Sequence, residues 1–314
     1  MKKVLIVGGA GFIGTELTAH FVDIGWEVTV LDTFWFGNEL EDIGCKICAK
    51  NVKDTTEDDY RGYDTVIYLA GLSNDPMSEF MPQQCFIDNG AMPPFVASLC
   101  KKVGVPHFIY ASTCSVYGWS PEGEKTPYDP VKVNYPYGLS KYIGEAGVMA
   151  LEDDFFHVTA VRMGTVCGIS KKMRFDLILN TIYKNIVSKG EFRLSNPSIH
   201  RPILDMLNLV SIYEKEVRFP RTGIFNAVSF NASLGEIARS CIAWTQRNLG
   251  FTPKVNIDYV GDLRNYTAIS SYEYTSNVES ILDCIHVLGI TDFDEPKYNN
   301  NEMFKALIEK GEYK

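Results

Sequence analysis

A glycine-rich turn near the start of the chain constrains the fold more than any other feature. Gly8, Gly11 and Gly14 stand in the pattern G-x-x-G-x-x-G. An apolar run ends at Val7, directly before the turn, and an apolar stretch with helical spacing begins at Phe12. Glycines permit a tight turn there, and they let backbone N–H groups approach a pyrophosphate at the positive end of a helix. The pattern therefore predicts a strand, a phosphate-binding turn and a helix, as in a dinucleotide-binding βαβ unit.

An acidic residue, Asp32, closes the second predicted strand at the distance expected for a ribose-binding carboxylate. Such a carboxylate accepts hydrogen bonds from the adenosine ribose hydroxyls and repels a 2′-phosphate. The stretch from position 33 to position 41 contains no arginine that could bind that phosphate. The sequence therefore predicts NAD as the cofactor, rather than NADP. Two further segments are expected beside the cofactor, namely Asn51-Val52 over the adenine and Leu69-Ala70-Gly71 after the fourth strand.

Short apolar runs alternate with longer amphipathic stretches through much of the chain, which is typical of stacked βαβ units. We predict an α/β fold with a Rossmann-type, doubly wound parallel sheet and a smaller C-terminal lobe that binds the substrate. The NAD-binding domain is expected over residues 1–168 with a returning segment at about 202–228, and the lobe over 169–201 and 229–314. Strands are predicted at Lys3–Val7, Glu27–Leu31, Thr65–Leu69, His107–Ala111 and Val158–Met163, and helices at Phe12–Ile24, Ala91–Val103 and Tyr137–Glu152.

The charge balance excludes some classes of partner. The net charge is −9, and no long basic run is present, which argues against nucleic acid or an anionic membrane as a partner. The apolar run Val4–Val7 is too short for a membrane span or a signal peptide, so we expect a cytoplasmic protein. Cys45 and Cys48 lack a second pair or nearby histidines, so no metal site is predicted, and we interpret them as part of a strand.

A tyrosine and a lysine lie four residues apart in Tyr137-Gly138-Leu139-Ser140-Lys141. On a helix this spacing brings both side chains to one face. We expect the lysine ammonium, with a nearby nicotinamide cation, to lower the tyrosine pKa from ~10 toward neutrality, so that Tyr137 can exchange a proton with a substrate hydroxyl. A hydroxyl-rich turn from Ala111 to Gly118 follows the fifth strand, where ligand crevices of open α/β sheets lie.

Together these motifs resemble the extended short-chain dehydrogenase/reductase family, in particular its NAD-dependent nucleotide-sugar epimerases and dehydratases. The resemblance covers almost the whole chain. It implies that Thr113 joins Tyr137 and Lys141 in a catalytic triad. It also implies that the following residues line the cofactor: Gly8, Gly11, Phe12, Ile13, Gly14, Asp32, Asn51, Val52, Leu69, Ala70, Ser73, Asn89, Tyr137, Lys141 and Met163.

The resemblance implies a reaction that begins with oxidation of the sugar at C4. Tyr137 would take the hydroxyl proton while a hydride passes to the nicotinamide. The 4,6-dehydratases carry an Asp-Glu pair directly after the triad threonine, whereas this chain has Cys114-Ser115, so dehydration is not expected. We expect a 4-epimerase, which returns the hydride. A net 4-dehydrogenase that releases the ketone is the alternative, because the segment 162–177 resembles a subgroup with both outcomes, including enzymes that act on GDP-heptoses.

A nucleotide-sugar pyrophosphate needs cationic or amide donors. The family match implies substrate contacts from Thr113, Thr165, Arg174, Asn180, Arg201 and Arg264. The chain also departs from the family pattern R-P-x-x-H-V-x-D, because Asp205 and Asn208 replace its histidine and its aspartate. Tyr259 stands where related epimerases have an arginine. These departures leave the nucleotide open.

Two other functions fit parts of the sequence. A dinucleotide-binding regulator without turnover would carry a broken triad, whereas this triad is intact. An NADPH-dependent 4-ketosugar reductase would share Tyr137 and Lys141, but Asp32 disfavours NADPH. The family commonly forms homodimers through a four-helix bundle, and the apolar faces of 91–103 and 137–151 suit such a bundle, so a homodimer is expected.

Overall fold

The computed structural model describes residues 1–120, 123–133, 135–259, 264–293 and 298–313. The strands are β1 Lys3–Val7, β2 Glu27–Asp32, β3 Lys46–Ala49, β4 Thr65–Tyr68, β5 His107–Thr113, β6 His157–Met163, β7 Thr165–Cys167, β8 Glu191–Ser195, β9 His200–Asp205, β10 Gly223–Ala227, β11 Phe230–Ser233 and β12 Lys254–Asp258. The helices are α1 Phe12–Asp23, α2 Asp75–Phe80, α3 Pro82–Cys85, α4 Met92–Lys102, α5 Pro136–Met149, α6 Ile178–Lys189, α7 Met206–Arg218, α8 Leu234–Leu249, α9 Val278–His286 and α10 Asn300–Glu309. A π-helical segment, Phe86–Ala91, connects α3 to α4.

Seven parallel strands form the central sheet, in the order β10-β6-β5-β4-β1-β2-β3. Helices cover both faces of such a sheet, so its inner strands are buried throughout and largely apolar, as in Thr65–Tyr68 and His107–Thr113. The strand order reverses between β1 and β4, and ligands of doubly wound sheets bind at this switch point. The predicted Rossmann-type α/β fold is confirmed.

The predicted strands and helices are confirmed with small shifts at their ends. Strand β2 reaches Asp32 and β5 reaches Thr113, so both predicted functional residues stand at strand ends. The predicted helix 137–152 begins at Pro136 and already ends at Met149. It ends early because the chain turns sharply at Asp153, whose carboxylate accepts hydrogen bonds from the next backbone N–H groups and leads into β6.

The rest of the chain builds two small sheets, one of order β11-β9-β7 and one that pairs β12 with β8. Helices α6, α8 and α9 pack together beside them. The segment after β9 returns to the central domain, because α7 packs against α1 and β10 pairs with β6. The division into an NAD-binding domain and a substrate-binding lobe at the predicted boundaries stays a proposal. No helix in the described ranges is long and apolar enough to cross a lipid bilayer.

Candidate active site

The loops after strands β1 to β6 open into one cavity of about 390 Å³ at the carboxyl edge of the sheet. The predicted cofactor residues that line it are Gly8, Gly11, Phe12, Ile13, Gly14, Asp32, Asn51, Val52, Leu69, Ala70, Gly71, Ser73, Asn89 and Met163. The predicted triad, Thr113, Tyr137 and Lys141, lines the same cavity, together with Thr165, Arg174, Arg201 and Arg264. The fold therefore gathers almost all of the predicted site residues around one space.

The glycine turn is shaped by close backbone approaches. Gly8 has φ +83°, and a Cβ atom there would lie 2.6 Å from the backbone nitrogen of Ala70. A Cβ on Gly14 would lie 2.5 Å from the Cα of Gly9. A Cβ on Gly11, by contrast, would meet nothing nearer than 3.6 Å. Gly11 is also the N-cap of α1 and no described side chain caps it, so the first N–H groups of the helix are available to an anion in the cavity.

Asp32 joins the glycine turn to the end of β2. Its carboxylate accepts hydrogen bonds from the N–H groups of Ala10 and Phe34, both at 2.9 Å. Burial raises the pKa of Asp32, and these backbone hydrogen bonds oppose the rise. Asp32 therefore holds the turn in place while its side chain lines the cavity.

Thr113, Tyr137 and Lys141 form one wall of the cavity. Thr113 ends β5, and its hydroxyl accepts a hydrogen bond from the Ser115 N–H at 3.1 Å. Tyr137 stands in the first turn of α5, where the Thr113 hydroxyl hydrogen-bonds its phenol oxygen. The ammonium nitrogen of Lys141 lies 4.4 Å from the centre of the Tyr110 ring. Burial lowers the pKa of Lys141 to about 7.

The pKa of Tyr137 moves opposite to the expected direction. Burial is the main cause, and the negative charge of Asp75 raises the pKa further. The hydrogen bond from Thr113 and the positive charge of Arg174 only partly oppose this rise. Lys141 is buried and Tyr137 is partly buried, which disfavours the charged form of each. The lowering expected from Lys141 and a nicotinamide cation concerns the site with NAD bound, so it stays a prediction.

Arg174 reaches across the cavity to a residue from the first part of the chain. It forms a two-pronged ion pair with Asp176, at 2.9 and 2.8 Å, and donates a hydrogen bond to the Ser73 hydroxyl at 2.9 Å. Asn180, in contrast, lies outside the cavity lining. Its buried amide accepts from the Gly168 N–H and donates to the Arg174 carbonyl, so both ends are occupied within the protein. Asn180 therefore positions the backbone of Arg174.

Two further arginines, Arg201 and Arg264, line the cavity. Arg264 forms an ion pair with Asp75 at 2.9 Å, and its guanidinium lies 4.9 Å from the centre of the Tyr135 ring. Arg201 donates to the Arg264 carbonyl and lies 5.1 Å from the Tyr266 ring. Aromatic rings thus hold both guanidinium groups in defined positions near the triad.

Similarity to known proteins identifies the family of this chain. A family model described as the NAD dependent epimerase/dehydratase family matches residues 4–213. This chain belongs to that family. NAD is the cofactor that the family uses.

Among curated relatives of this epimerase/dehydratase family member, a UDP-glucose 4-epimerase of Corynebacterium glutamicum is 26% identical over 168 residues, covering 50% of this chain and 51% of the relative. A UDP-glucuronic acid decarboxylase 1 of Danio rerio is 34% identical over 120 residues, covering 37% and 28%. The chain spans about half the length of the curated relatives it matches first.

Solved structures resemble the fold over nearly the whole chain. TunA, described as an NAD dependent NDP-hexosamine 5,6-dehydratase, superposes with a TM-score of 0.83 at 23% identity and covers 94% of this chain and 100% of its own. The Bordetella bronchiseptica enzyme WbmG in complex with NAD has a TM-score of 0.78 at 22% identity and covers 95% and 96%. At these identities the likeness establishes the fold.

The sequence analysis missed several residues that line the cavity of this family member. Asp75 begins α2, two residues after the predicted Ser73, so its position at the carboxyl edge of the sheet was a usable signal. Trp35 likewise follows Asp32 at the end of β2. Asn300 and Tyr313 carried no local signal, because the chain brings them to the cavity from far along the sequence.

Cys45 and Cys48, which are both free thiols, do not line this cavity. Cys48 belongs to β3, as predicted, whereas Cys45 lies one residue before the strand begins. Burial raises the pKa of both thiols. Within the described residues, no cluster of three or more histidine, cysteine, aspartate or glutamate side chains could hold a metal ion.

Proposed function

We propose that the protein is an NAD-dependent nucleotide-sugar 4-epimerase. It would oxidise the sugar at C4 to a 4-keto species and then reduce the ketone from its other face. The observation that carries this proposal is that Thr113, Tyr137 and Lys141 line the same cavity as the glycine turn. A proton-exchanging tyrosine and a dinucleotide-binding turn in one cavity are what reversible hydride transfer at a carbinol requires.

The cavity has the chemistry that NAD needs. The uncapped start of α1 at Gly11 suits the pyrophosphate, and the Asp32 carboxylate suits the adenosine ribose hydroxyls. Two buried polar atoms in the cavity wall, Asn89 Oδ1 and the Tyr68 phenol oxygen, have no hydrogen-bond partner among the described residues. Buried polar groups normally have a partner, so these atoms favour a polar ligand. When bound, NAD accepts a hydride from the substrate and gives it back.

The triad residues supply the proton chemistry. Tyr137 is proposed to take the proton of the C4 hydroxyl during oxidation and to return it to the ketone oxygen during reduction. Thr113 would hold the same sugar oxygen, because its hydroxyl already contacts the phenol. Lys141 is buried beside them, and a positive charge there would favour the phenolate.

The substrate is proposed to bind on the side of the cavity that carries Arg174, Arg201 and Arg264. Guanidinium groups bind phosphate oxygens in pairs, which suits a nucleotide diphosphate. Several curated relatives are UDP-glucose 4-epimerases, which supports a nucleotide sugar as the substrate. Asp75 lies on the same side and within electrostatic reach of Tyr137, so it would accept a hydrogen bond from a sugar hydroxyl.

The proposal is tested by incubating the purified protein with UDP, GDP, CDP and dTDP sugars and following the products by NMR. Inversion at C4 without net change in the nicotinamide absorbance supports the 4-epimerase. Accumulation of reduced cofactor with release of a ketone would instead support the net 4-dehydrogenase, and oxidation of added NADPH by a 4-ketosugar would support the reductase. No turnover in the presence of bound NAD would favour a regulator.

The choice of NAD over NADP is expected to depend on Asp32. Replacing it with asparagine removes the negative charge that repels a 2′-phosphate and keeps a side-chain acceptor. We expect the ratio of the NADP to the NAD dissociation constant to fall by about tenfold, as measured by titration calorimetry. Asp42→Asn, on the exposed stretch after β2, is the matched control and should leave the ratio unchanged. An unchanged ratio in Asp32→Asn would contradict this role.

A homodimer through α4 and α5 is part of the proposal. Ile87, Phe95, Tyr142 and Ile143 are exposed apolar or aromatic residues on or next to these two helices, and burial against a second copy would remove them from water. We expect Phe95→Glu to convert the dimer to a monomer in light scattering. Phe219→Glu, at the end of α7, changes an even more exposed ring and should leave the dimer intact. A monomeric wild-type protein would refute the dimer.

A further inference from the structure

Tyr313 lines the cavity and contacts two other residues of its lining, Trp35 and Asp88. Its ring centre lies 4.5 Å from that of Trp35, and its phenol donates a hydrogen bond to the Asp88 carboxylate. Trp35 follows β2, whereas Asp88 lies in the π-helical segment reached from β4. Strands β2 and β4 flank β1 in the sheet, so Tyr313 joins the two sides of the crevice above the glycine turn.

The segment 298–313, which we call the strap, is anchored at its base. The Phe175 N–H donates to the Tyr298 carbonyl at 2.9 Å, and the Asn74 amide donates to Asn301 at 2.9 Å. Phe304 is buried in a small apolar cluster with Leu72, Met77 and Cys85. Helix α10 is thus fixed to the loop after β4, and Tyr313 extends from this base.

Side-chain contacts of Tyr313 hold the far end of the strap. Besides Trp35 and Asp88, the Tyr313 ring packs on Phe304 at 4.9 Å. The Lys53 ammonium lies 6.0 Å from the Tyr313 ring and 3.3 Å from the Asp88 carboxylate, so it supports the same junction. A tyrosine that is held in this way can leave the crevice without unfolding the sheet beneath it.

We propose that the strap closes the dinucleotide half of the cavity and that Tyr313 controls how fast NAD enters and leaves. This inference rests on the proposed function, since it takes NAD as the occupant of the crevice. Tyr313 and Asn300, both in the strap, line the cavity together with the glycine turn. A dinucleotide beneath Tyr313 leaves sideways only after the contacts with Trp35 and Asp88 break.

The strap also bears on the choice between the two reaction outcomes. An epimerase oxidises and reduces its substrate with one cofactor molecule, so slow release of the cofactor does not lower its turnover rate. A net dehydrogenase has to exchange reduced for oxidised cofactor in every cycle, and a closed crevice slows that exchange. The junction at Tyr313 therefore favours the epimerase.

The experiment measures the dissociation rate of NAD itself. Wild-type protein loaded with isotope-labelled NAD is chased with excess unlabelled NAD, and the label that stays bound is followed after rapid filtration. We expect Tyr313→Ala to raise the dissociation rate by at least about tenfold, because both the ring contact and the hydrogen bond are lost. Tyr313→Phe keeps the ring and should give a smaller increase.

Tyr128→Ala is the matched control, because Tyr128 is 96% exposed, and it should leave the rate unchanged. Thermal unfolding of each variant shows whether it is folded. If Tyr313→Ala is unfolded, the dissociation rate of Tyr313→Phe alone provides the test. An unchanged rate in folded Tyr313→Ala and Tyr313→Phe would refute the strap alone. Failure of the wild-type protein to bind NAD would refute the proposed function and the strap with it.

Discussion

Replacing Tyr137 with phenylalanine is expected to lower turnover by about 10²- to 10⁴-fold. The phenol oxygen is the only group that this substitution removes. The ring stays packed at the start of α5, so the cavity keeps its shape. NAD affinity should change by less than about twofold, because a lost proton-exchanging group acts on the transition state and not on cofactor binding.

The matched control is Tyr142→Phe, which removes a phenol from the same helix at a partly exposed position outside the cavity lining. Its turnover should equal that of the wild-type protein. Steady-state rates on the best nucleotide sugar and NAD titrations of both variants provide the comparison. Turnover of Tyr137→Phe within about threefold of wild type would contradict the proposed proton exchange.

Replacing Glu145 with alanine is expected to lower the free energy of unfolding by about 3–5 kcal/mol. Glu145 and Arg162 form a buried ion pair at 2.6 Å, with 1% and 3% of their side chains exposed. The Ser112 hydroxyl donates to the same carboxylate at 2.5 Å. Burial alone lowers the pKa of Arg162, but contacts with Glu145 outweigh it, so Arg162 stays charged. The alanine variant would leave that charge buried without its partner.

Urea unfolding of the variant and of the wild-type protein measures this loss. Glu145→Gln keeps the side-chain volume and should lose less stability than Glu145→Ala. Glu152→Ala changes an exposed acid just after α5 and should stay within about 0.5 kcal/mol of wild type. A loss of less than about 1 kcal/mol in Glu145→Ala would contradict the assigned role of the pair. The carboxylate of the Glu145–Arg162 ion pair also accepts the hydrogen bond from Ser112, which directly precedes Thr113 at the end of β5.

The sequence predicted the central sheet well because the relevant signals are local. The strand before Gly8 and the helix after it depend on hydrophobic periodicity and on a turn that only glycine permits. Tyr137 and Lys141 were picked out for a similar reason, since they lie one helical turn apart, whereas Thr113 was implied by the family resemblance. Strand ends then explain why Asp32 and Thr113 reach one crevice, because parallel strands all end at the same edge.

The features that the sequence did not predict depend on contacts between distant segments. The raised pKa of Tyr137 follows from burial and from Asp75, which no spacing around Tyr137 indicates. The amide of Asn180 hydrogen-bonds to the Gly168 N–H and to the Arg174 carbonyl inside the protein. The sequence around Asn180 does not show whether its amide is buried in this way or free to bind a substrate. Tyr313 contacts Asp88 across 225 positions of sequence.

We propose that one cavity holds a dinucleotide at the glycine turn and presents its nicotinamide ring to Thr113, Tyr137 and Lys141. A crystal structure of the purified protein with NAD measures this most directly, through the distance from the Tyr137 phenol oxygen to the nicotinamide ring. We expect the pyrophosphate at the start of α1, the ribose at Asp32 and the nicotinamide ring in contact with Tyr137 and Thr113. A nicotinamide ring bound away from Tyr137, or a cavity that excludes NAD, would contradict it.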